Sequence, residues 1–371
     1  MKAHILLILS VTSIWISCKG QQNPEATTNF LHSPATPYDT TQVLGNNLML
    51  VYQDKKNNYW FGTWGDGLYK YYGQFILHFT TENGLIHNRI DEIKEDKQGN
   101  IYFNTSGGIN KYDGQYFTTL SMVDHSKNEW KLGSDDLWFR CTQDSGLVYR
   151  YDGEKLHRLI FPGTRTADEF MARHPSMNHP SLRNSAYSVY TVYMDSRDNV
   201  WFGTAAAGVC RYDGHSFDWI AEEDVNELHN GPSNGVRSIL EDKDGYFWFN
   251  TLYRYDVYGN NVTRGNHLDQ EASWYTRVKS IGSLDGREDG DVSEYLSIAR
   301  DNHDALWFAT YRDGVWRYDG EKITHFPVKN GPEDITLFTI YKDRAGDLWL
   351  GTHETGAYKF NGKTFERFQP F

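Results

Sequence analysis

Hydrophobic positions along the chain fall in short runs, and one run recurs. An aromatic-Phe-X-Thr phrase, allowing single departures, starts at Trp60, Tyr102, Trp138, Trp201, Trp248, Trp307 and Trp349. Large residues at consecutive positions suit a strand covered on both faces. In each unit an apolar, mostly alternating run comes first (48–52, 90–93, 189–193, 236–240, 295–298, 337–340) and an Asp-rich turn such as 96–100 or 242–245 closes it. After the aromatic phrase, six copies continue with a Gly-led phrase ending in a basic residue, an aromatic and a turn: 67–73, 108–114, 146–153, 208–214, 314–320 and 356–362. The fifth copy keeps a stub, Arg254-Tyr255-Asp256. The turn leads to a fourth run, such as 75–79 or 323–326. The 42-residue spacing from Trp60 to Tyr102, repeated from Trp307 to Trp349, is the length that four short strands and their turns require.

The pattern predicts an all-β chain, a seven-bladed β-propeller of four-stranded antiparallel blades over residues 47–371. No blade buries its aromatics alone, so the ring is one cooperative domain. Trp60, Trp201, Trp248, Trp307 and Trp349 are expected between blades, with no ligand role. Departures from the repeat are expected where the scaffold is free to vary: Cys141 at a Thr position, and Asn104, Arg140 and Asn250 where other copies carry a small residue. Blade five is short between Thr251 and Arg254, implying a tight hairpin. Two long connections, 161–188 and 267–293, are both placed between a fourth strand and the next first strand. Such connections share one face of the disc with the loops between second and third strands. The first brings Arg165, Arg173, His174, His179 and Arg183; the second brings Trp274, Tyr275 and Arg277 beside an acidic run, 285–291. Expected to lack regular structure, they either wall a pocket over the channel mouth between blades three and six or, one or both, merely cap the ring.

The N-terminus adds a compartment. Lys2, an apolar stretch at 5–16 and Ser17-Cys18 form an export signal over 1–17, too short to span a bilayer. Cys18 after a small residue looks like a bacterial lipidation site, with plain cleavage that leaves Cys18 lost or free as the alternative. Residues 18–46, rich in Gln, Asn, Thr and Pro, then form a lipidated tether, and the lack of an acidic run at 19–23 points to a periplasm-facing envelope location. Cys141 and Cys210 stand where nothing suggests a bridge. A net charge of −12 argues against nucleic acid and anionic membrane surfaces as partners, leaving the lipid as the membrane contact. Neither metal-ligand spacing nor a phosphate-cradling Gly-rich loop is present, so no cofactor and no metal are expected.

Phrases such as Leu348-Trp349-Leu350-Gly351-Thr352 and Gly314-Val315-Trp316-Arg317-Tyr318-Asp319-Gly320, with links such as Asn83-Gly84-Leu85 and Asn330-Gly331-Pro332, resemble the two-component regulator propeller repeat. The resemblance covers nearly the whole mature chain. It implies the periplasmic sensor part of a hybrid histidine kinase, a propeller that recognises a ligand and signals through a sandwich domain and a membrane helix. After Phe371 no sandwich, second apolar span or kinase domain is expected, which leaves a recognition module on a lipid anchor.

Three functions compete. A binding module for a glycan, peptide or envelope protein would use Trp64, Asp66, Arg89, Trp130, Arg173, Trp274, Tyr275, Tyr311, Arg312, His353 and Glu354, since aromatics stack on sugar rings and charged side chains bond hydroxyls or carboxylates. An enzyme, a lyase or hydrolase, would take its acid or base from Glu354, Asp313, His353 or His87, with Arg312 facing developing charge. It requires a carboxylate, a His and an Arg within hydrogen-bonding reach at the channel mouth. A protein-interaction scaffold would instead show a broad aromatic patch.

Overall fold

The computed structural model describes residues 38–124, 130–141, 146–173, 186–225, 235–250, 253–258, 274–279 and 295–371. Seven sheets stand radially around a central channel, as the repeat predicts. Blade one shows the order: Leu48–Gln53 lines the channel, and Tyr59–Thr63, Leu68–Tyr71 and Ile76–Phe79 follow outward, all antiparallel. Among the described residues no helix is long and apolar enough to cross a membrane.

The repeat residues are packing and hairpin parts. Trp60, Trp201, Trp248, Trp307 and Trp349 are buried, each in contact with aromatic rings of a neighbouring blade or strand. Each donates its indole N–H to the aspartate six residues earlier, at 2.7–3.0 Å: Asp54, Asp195, Asp242, Asp301 and Asp343. That carboxylate also accepts backbone N–H groups of its own turn, so one aspartate closes the hairpin and satisfies a buried donor. At the other end of the phrase the threonine hydroxyl donates to the carbonyl of the Gly that opens the third strand, 2.8 Å from Thr63 to Gly67 and from Thr204 to Gly208. Gly67 and Gly208 sit at φ +79° and +86°, and a β-carbon there would lie 2.1 Å from a carbonyl oxygen of the fourth strand. Only glycine fits.

Blade three departs from the four-strand order. Its second, third and fourth strands are Leu137–Arg140, Leu147–Tyr151 and Leu156–Ile160, and the remaining strand, Met122–Asp124, runs parallel on the outer edge. Among the described residues nothing pairs with the inner edge of Leu137–Arg140. Side chains of blade two take that place. Glu92 accepts from the Arg140 N–H at 2.9 Å, Asn104 donates to the Arg140 carbonyl at 2.8 Å and Lys94 donates to the Trp138 carbonyl. Arg140 itself reaches across the gap, donating to the carbonyls of Tyr190 in blade four (3.0 Å) and Asp91 in blade two (2.7 Å). In ordinary blades the small residue makes room for the next blade: a β-carbon on Gly203 would lie 2.4 Å from the Val236 carbonyl, and one on Gly351 2.6 Å from that of Met49. Asn104 and Arg140 therefore compensate for an inner strand that blade three lacks among the described residues, and the expectation of freely varying positions is corrected. Asn250 is a compensation too: its Oδ1 accepts from the Arg237 and Ser238 N–H groups, where the first strand of blade five has shrunk to Ile239–Glu241.

The expected tether is partly built into the ring. Asp39–Thr41 adds a fifth strand to the outer edge of blade one, paired with Ile76–Phe79. The chain then turns back between blades one and seven. Leu44 is buried with Phe61, Tyr69, Trp349 and Ala357, and the Asn46 carbonyl accepts from the Gly356 N–H at 2.6 Å.

Both long connections also differ from expectation. The first contains a helix, Arg165–Arg173, whose Ala167 packs with Ala186, Ala206 and Ala207 over blade four. The second is interrupted by Thr276–Lys279, which pairs with Tyr253–Asp256 as the fourth strand of blade five. The chain between Tyr258 and Trp274 thus joins third and fourth strands, whose facing ends lie on the opposite side of the disc. His174, His179 and Arg183, and the acidic run 285–291, lie outside the described residues.

Candidate binding site at the channel mouth

Backbone bonds tie loops between second and third strands to the entries of first strands, of the next blade for Leu337 to Tyr311 and for the Trp64–Arg89 bridge, and of the same blade for Ala205 to Ser188 and His353 to Thr336. These contacts place Trp64, Arg89, Tyr311 and His353 on one face, around the channel. Phe338 joins them: its ring lies 6.0 Å from Trp64, 6.0 Å from Tyr311 and 5.8 Å from His353. Trp64 also takes the His353 ring edge-on at 5.5 Å and the Arg89 guanidinium over its face at 4.7 Å. On the far side Arg237 lies over the Tyr190 ring at 4.4 Å.

Behind this rim is a cavity of about 430 Å³. First strands supply most of its wall, because five of them carry a β-bulge at their second position. The bulged residues Met49, Asp91, Tyr190, Leu296 and Phe338 all line the chamber. At blade three, where no inner strand stands among the described residues, second-strand residue Arg140 and the adjoining Cys141 line it.

Three guanidinium groups, Arg89, Arg140 and Arg237, face two carboxylates here. The carboxylates are engaged: Asp91 accepts from Arg89 Nε at 2.9 Å, and Glu92 from Asn104 at 2.7 Å and from the Arg140 N–H. Burial pulls the Arg237 guanidinium below its ordinary value; the Tyr190 and Tyr311 hydroxyls work against that pull and the neighbouring Arg140 cation adds to it.

Of the residues singled out from the sequence, the fold brings Trp64, Arg89, Tyr311 and His353 together. Arg312 lies 5.5 Å from the Tyr311 ring, and the exposed Glu354 pairs with His353 at 3.2 Å. The others lie elsewhere. Asp66 accepts from Tyr69 and belongs to a hairpin clamp with the stacked pair Tyr69–His78, repeated in blade six as Asp313 with Trp316–His325. Trp130 is a correction: it stacks on Trp138 at 5.6 Å between blades three and four and donates to the Ile160 carbonyl. Trp274 and Tyr275 are corrections as well, because the strand they precede is the outer strand of blade five. Trp274 donates to the Trp219 carbonyl at 3.1 Å and lies under Arg211, and Tyr275 donates to Asp224. Arg173 ends the helix over blade four and does not line the chamber.

Tyr190, Arg237, Phe338, Asp91 and Glu92 escaped the sequence reading. Their signal was the residue that interrupts alternation just after the first apolar position of each unit. His353 and Arg89 meet the same Trp64 ring, at 5.5 and 4.7 Å, while His353 pairs with Glu354 and Arg89 with Asp91. His87 accepts from the Arg89 N–H, and Asp313 is held in its clamp. No group of described residues could hold a metal ion.

Residues 184–206 and 230–253 match the two component regulator propeller family, so the chain carries repeats of that family. No curated protein matches the chain. Among solved structures, the extracellular domain of BT4673, assigned to a one component system of B. thetaiotaomicron, is similar at 18% identity and a TM-score of 0.55, covering 89% of this chain and 40% of that chain. The extracellular domain of BT3049, assigned to a hybrid two component system of the same organism, matches at 18% identity and a TM-score of 0.52, covering 86% and 41%. This chain spans about two fifths of those proteins' length. Virginiamycin B lyase from Staphylococcus aureus is similar at 12% identity and a TM-score of 0.56, covering 86% of this chain and 97% of the lyase. At these identities the likeness is one of fold.

Proposed function

We propose that this ring of two component regulator propeller repeats is a recognition module of the bacterial cell envelope, holding a negatively charged ligand at its channel mouth. The observation that carries the reading is the convergence, over one 430 Å³ cavity, of an aromatic rim with three guanidinium groups on a protein of net charge −12. Pockets of this size with a few placed charges suit small ligands or the ends of larger ones. The ligand is part of a glycan, a peptide or a partner protein, and Cys18 carries the lipid that keeps the ring at the membrane. The extracellular placement of the similar propellers supports that location.

Glycan and peptide arrays probed with the intact chain, beside its Arg237→Met and Trp64→Ala variants, test the reading. Binding that both variants weaken at least tenfold supports it. Binding that survives both in folded protein places recognition elsewhere and overturns it. The Cys18→Ala protein should leave the detergent phase; unchanged partitioning would refute the anchor.

A further inference from the structure

The chamber has two unlike halves. Blades two to five line it with Arg89, Asp91, Glu92, Arg140, Tyr190 and Arg237. Blades one, six and seven line it with Met49, Leu50, Leu296 and Phe338. The side-chain hydroxyls in the second half are those of Ser297 and Thr339, and the Ser297 hydroxyl is already occupied by the Ile340 N–H at 3.1 Å. A sugar bears hydroxyls around its whole ring, and those turned towards Leu50 and Leu296 would lose water without gaining a partner. A group that is apolar at one end and anionic at the other fits both halves.

We infer that the ligand is a monocarboxylate borne on an apolar group, its carboxylate forked by Arg140 and Arg237 and its apolar body laid against Leu296, Phe338 and Met49. This rests on the reading of the mouth as a recognition site. Arg140 commits two of its five N–H donors to the Tyr190 and Asp91 carbonyls, which fixes the plane of its fork; the Asp91 and Glu92 carboxylates lie 3.9 and 4.0 Å from it, too far to occupy its other donors with short hydrogen bonds. Arg237 is held against the ring of the same Tyr190, so one residue positions both cations. Burial, and after it the neighbouring Arg140 cation, disfavour the charge on Arg237, and an anion seated between the two guanidinium groups would offset both. Such a carboxylate is either a peptide chain end with an apolar last residue or a free aryl or alkyl acid, and the chemistry is shared.

Isothermal titration of the full chain with four probes tests this: N-acetyl-Ala-Ala-Phe, its C-terminal amide, 3-phenylpropanoate and glucuronate. Support is binding of either apolar acid at least tenfold tighter than both the amide and glucuronate. The peptide acid alone then identifies a chain end, and phenylpropanoate alone a free acid. Arg237→Met should abolish the preference for acid over amide, and Leu296→Asn should weaken both apolar acids while the far-ultraviolet spectrum stays unchanged. Should Leu296→Asn fail to fold, Met49→Gln replaces it. Glucuronate binding as tightly as the apolar acids, or the amide as tightly as the acid, overturns the inference while leaving a recognition site in place. Failure of all four probes overturns it too, and the array experiment then decides separately whether the mouth recognises anything.

Discussion

Restoring the repeat at Asn104 should damage the protein. Replacing it by glycine brings blade two into line with blades one, four and seven, whose Gly62, Gly203 and Gly351 occupy the equivalent place. Asn104 is 1% exposed, and its amide donates 2.7 Å to Glu92 and 2.8 Å to the Arg140 carbonyl on the unpaired edge of blade three. A bond to a carboxylate contributes about 1.5–3 kcal/mol and a neutral one about 1 kcal/mol. A strand-interior glycine adds roughly 0.5–1 kcal/mol of destabilisation, and water entering the vacated space offsets part of the total. The expected loss for Asn104→Gly is about 2–4 kcal/mol, measured as a lower guanidinium midpoint with an unchanged slope. The reciprocal change, Gly351→Asn, should be at least as damaging, because the Met49 carbonyl lies 2.6 Å from where its β-carbon would stand. An Asn104→Gly protein with the midpoint of the parent, or a higher one, would refute the assignment of this side chain as a stand-in for an inner strand that blade three lacks among the described residues.

Trp201→Ala should cost about 3–5 kcal/mol in denaturant melts, whatever ligand is found, since the ring is wholly buried between blades. Burial pushes the Asp195 and Asp301 carboxyls up, but hydrogen bonds from Trp201, Tyr258 and Asn199 to the first, and from Trp307 and backbone N–H groups to the second, hold them below the ordinary 3.8. Their stabilisation is therefore complete above about pH 4 and is lost as pH falls through the depressed folded values; acid titration of the melt should be flat near neutrality and steep below 4, and shallower for Asp195→Asn. Cys210 is buried and free, and burial pushes its thiol well up, so a thiol reagent should not label it until the ring unfolds. Leu44→Ala should lower stability by about 2–4 kcal/mol although it lies in a segment whose composition suits a linker.

Blade count and core were legible because both are repeated: seven copies of Trp or Tyr in one phrase leave little choice about which face is inside. The contact of Trp64, Arg89, Tyr311 and His353 was legible for the same reason, since equivalent loops meet at the same mouth. What escaped was unrepeated. The departure of blade three had its marks in Leu132, which stands where other turns place the aspartate, and in Trp138, whose indole N–H finds no acceptor among the described residues. Arg140 was visible as an oddity, but only its bonds to the Tyr190 and Asp91 carbonyls give the oddity a purpose. Trp274 and Tyr275 misled because a strand as short as Thr276–Lys279 carries no phrase of its own, and two aromatics in a long connection suggest a platform when they are an inter-blade wedge.

The seam between blades one and seven imposes an order of events on the growing chain. Leu44 and Asn46 are made early, yet their partners Trp349, Gly356 and Arg367 are made last, and the bond from Arg367 to Asn46 spans 321 positions. Loop-closure entropy is lost before such contacts repay it, so this junction forms at the end of folding, after each blade has found its neighbour. Until then the first and last blades present bare aromatic flanks, Phe61 on one and Trp349 on the other. A growing chain is therefore an open arc with two adhesive ends for most of its synthesis, and folding pulse-labelling should find the Gly356 amide among the last to gain protection.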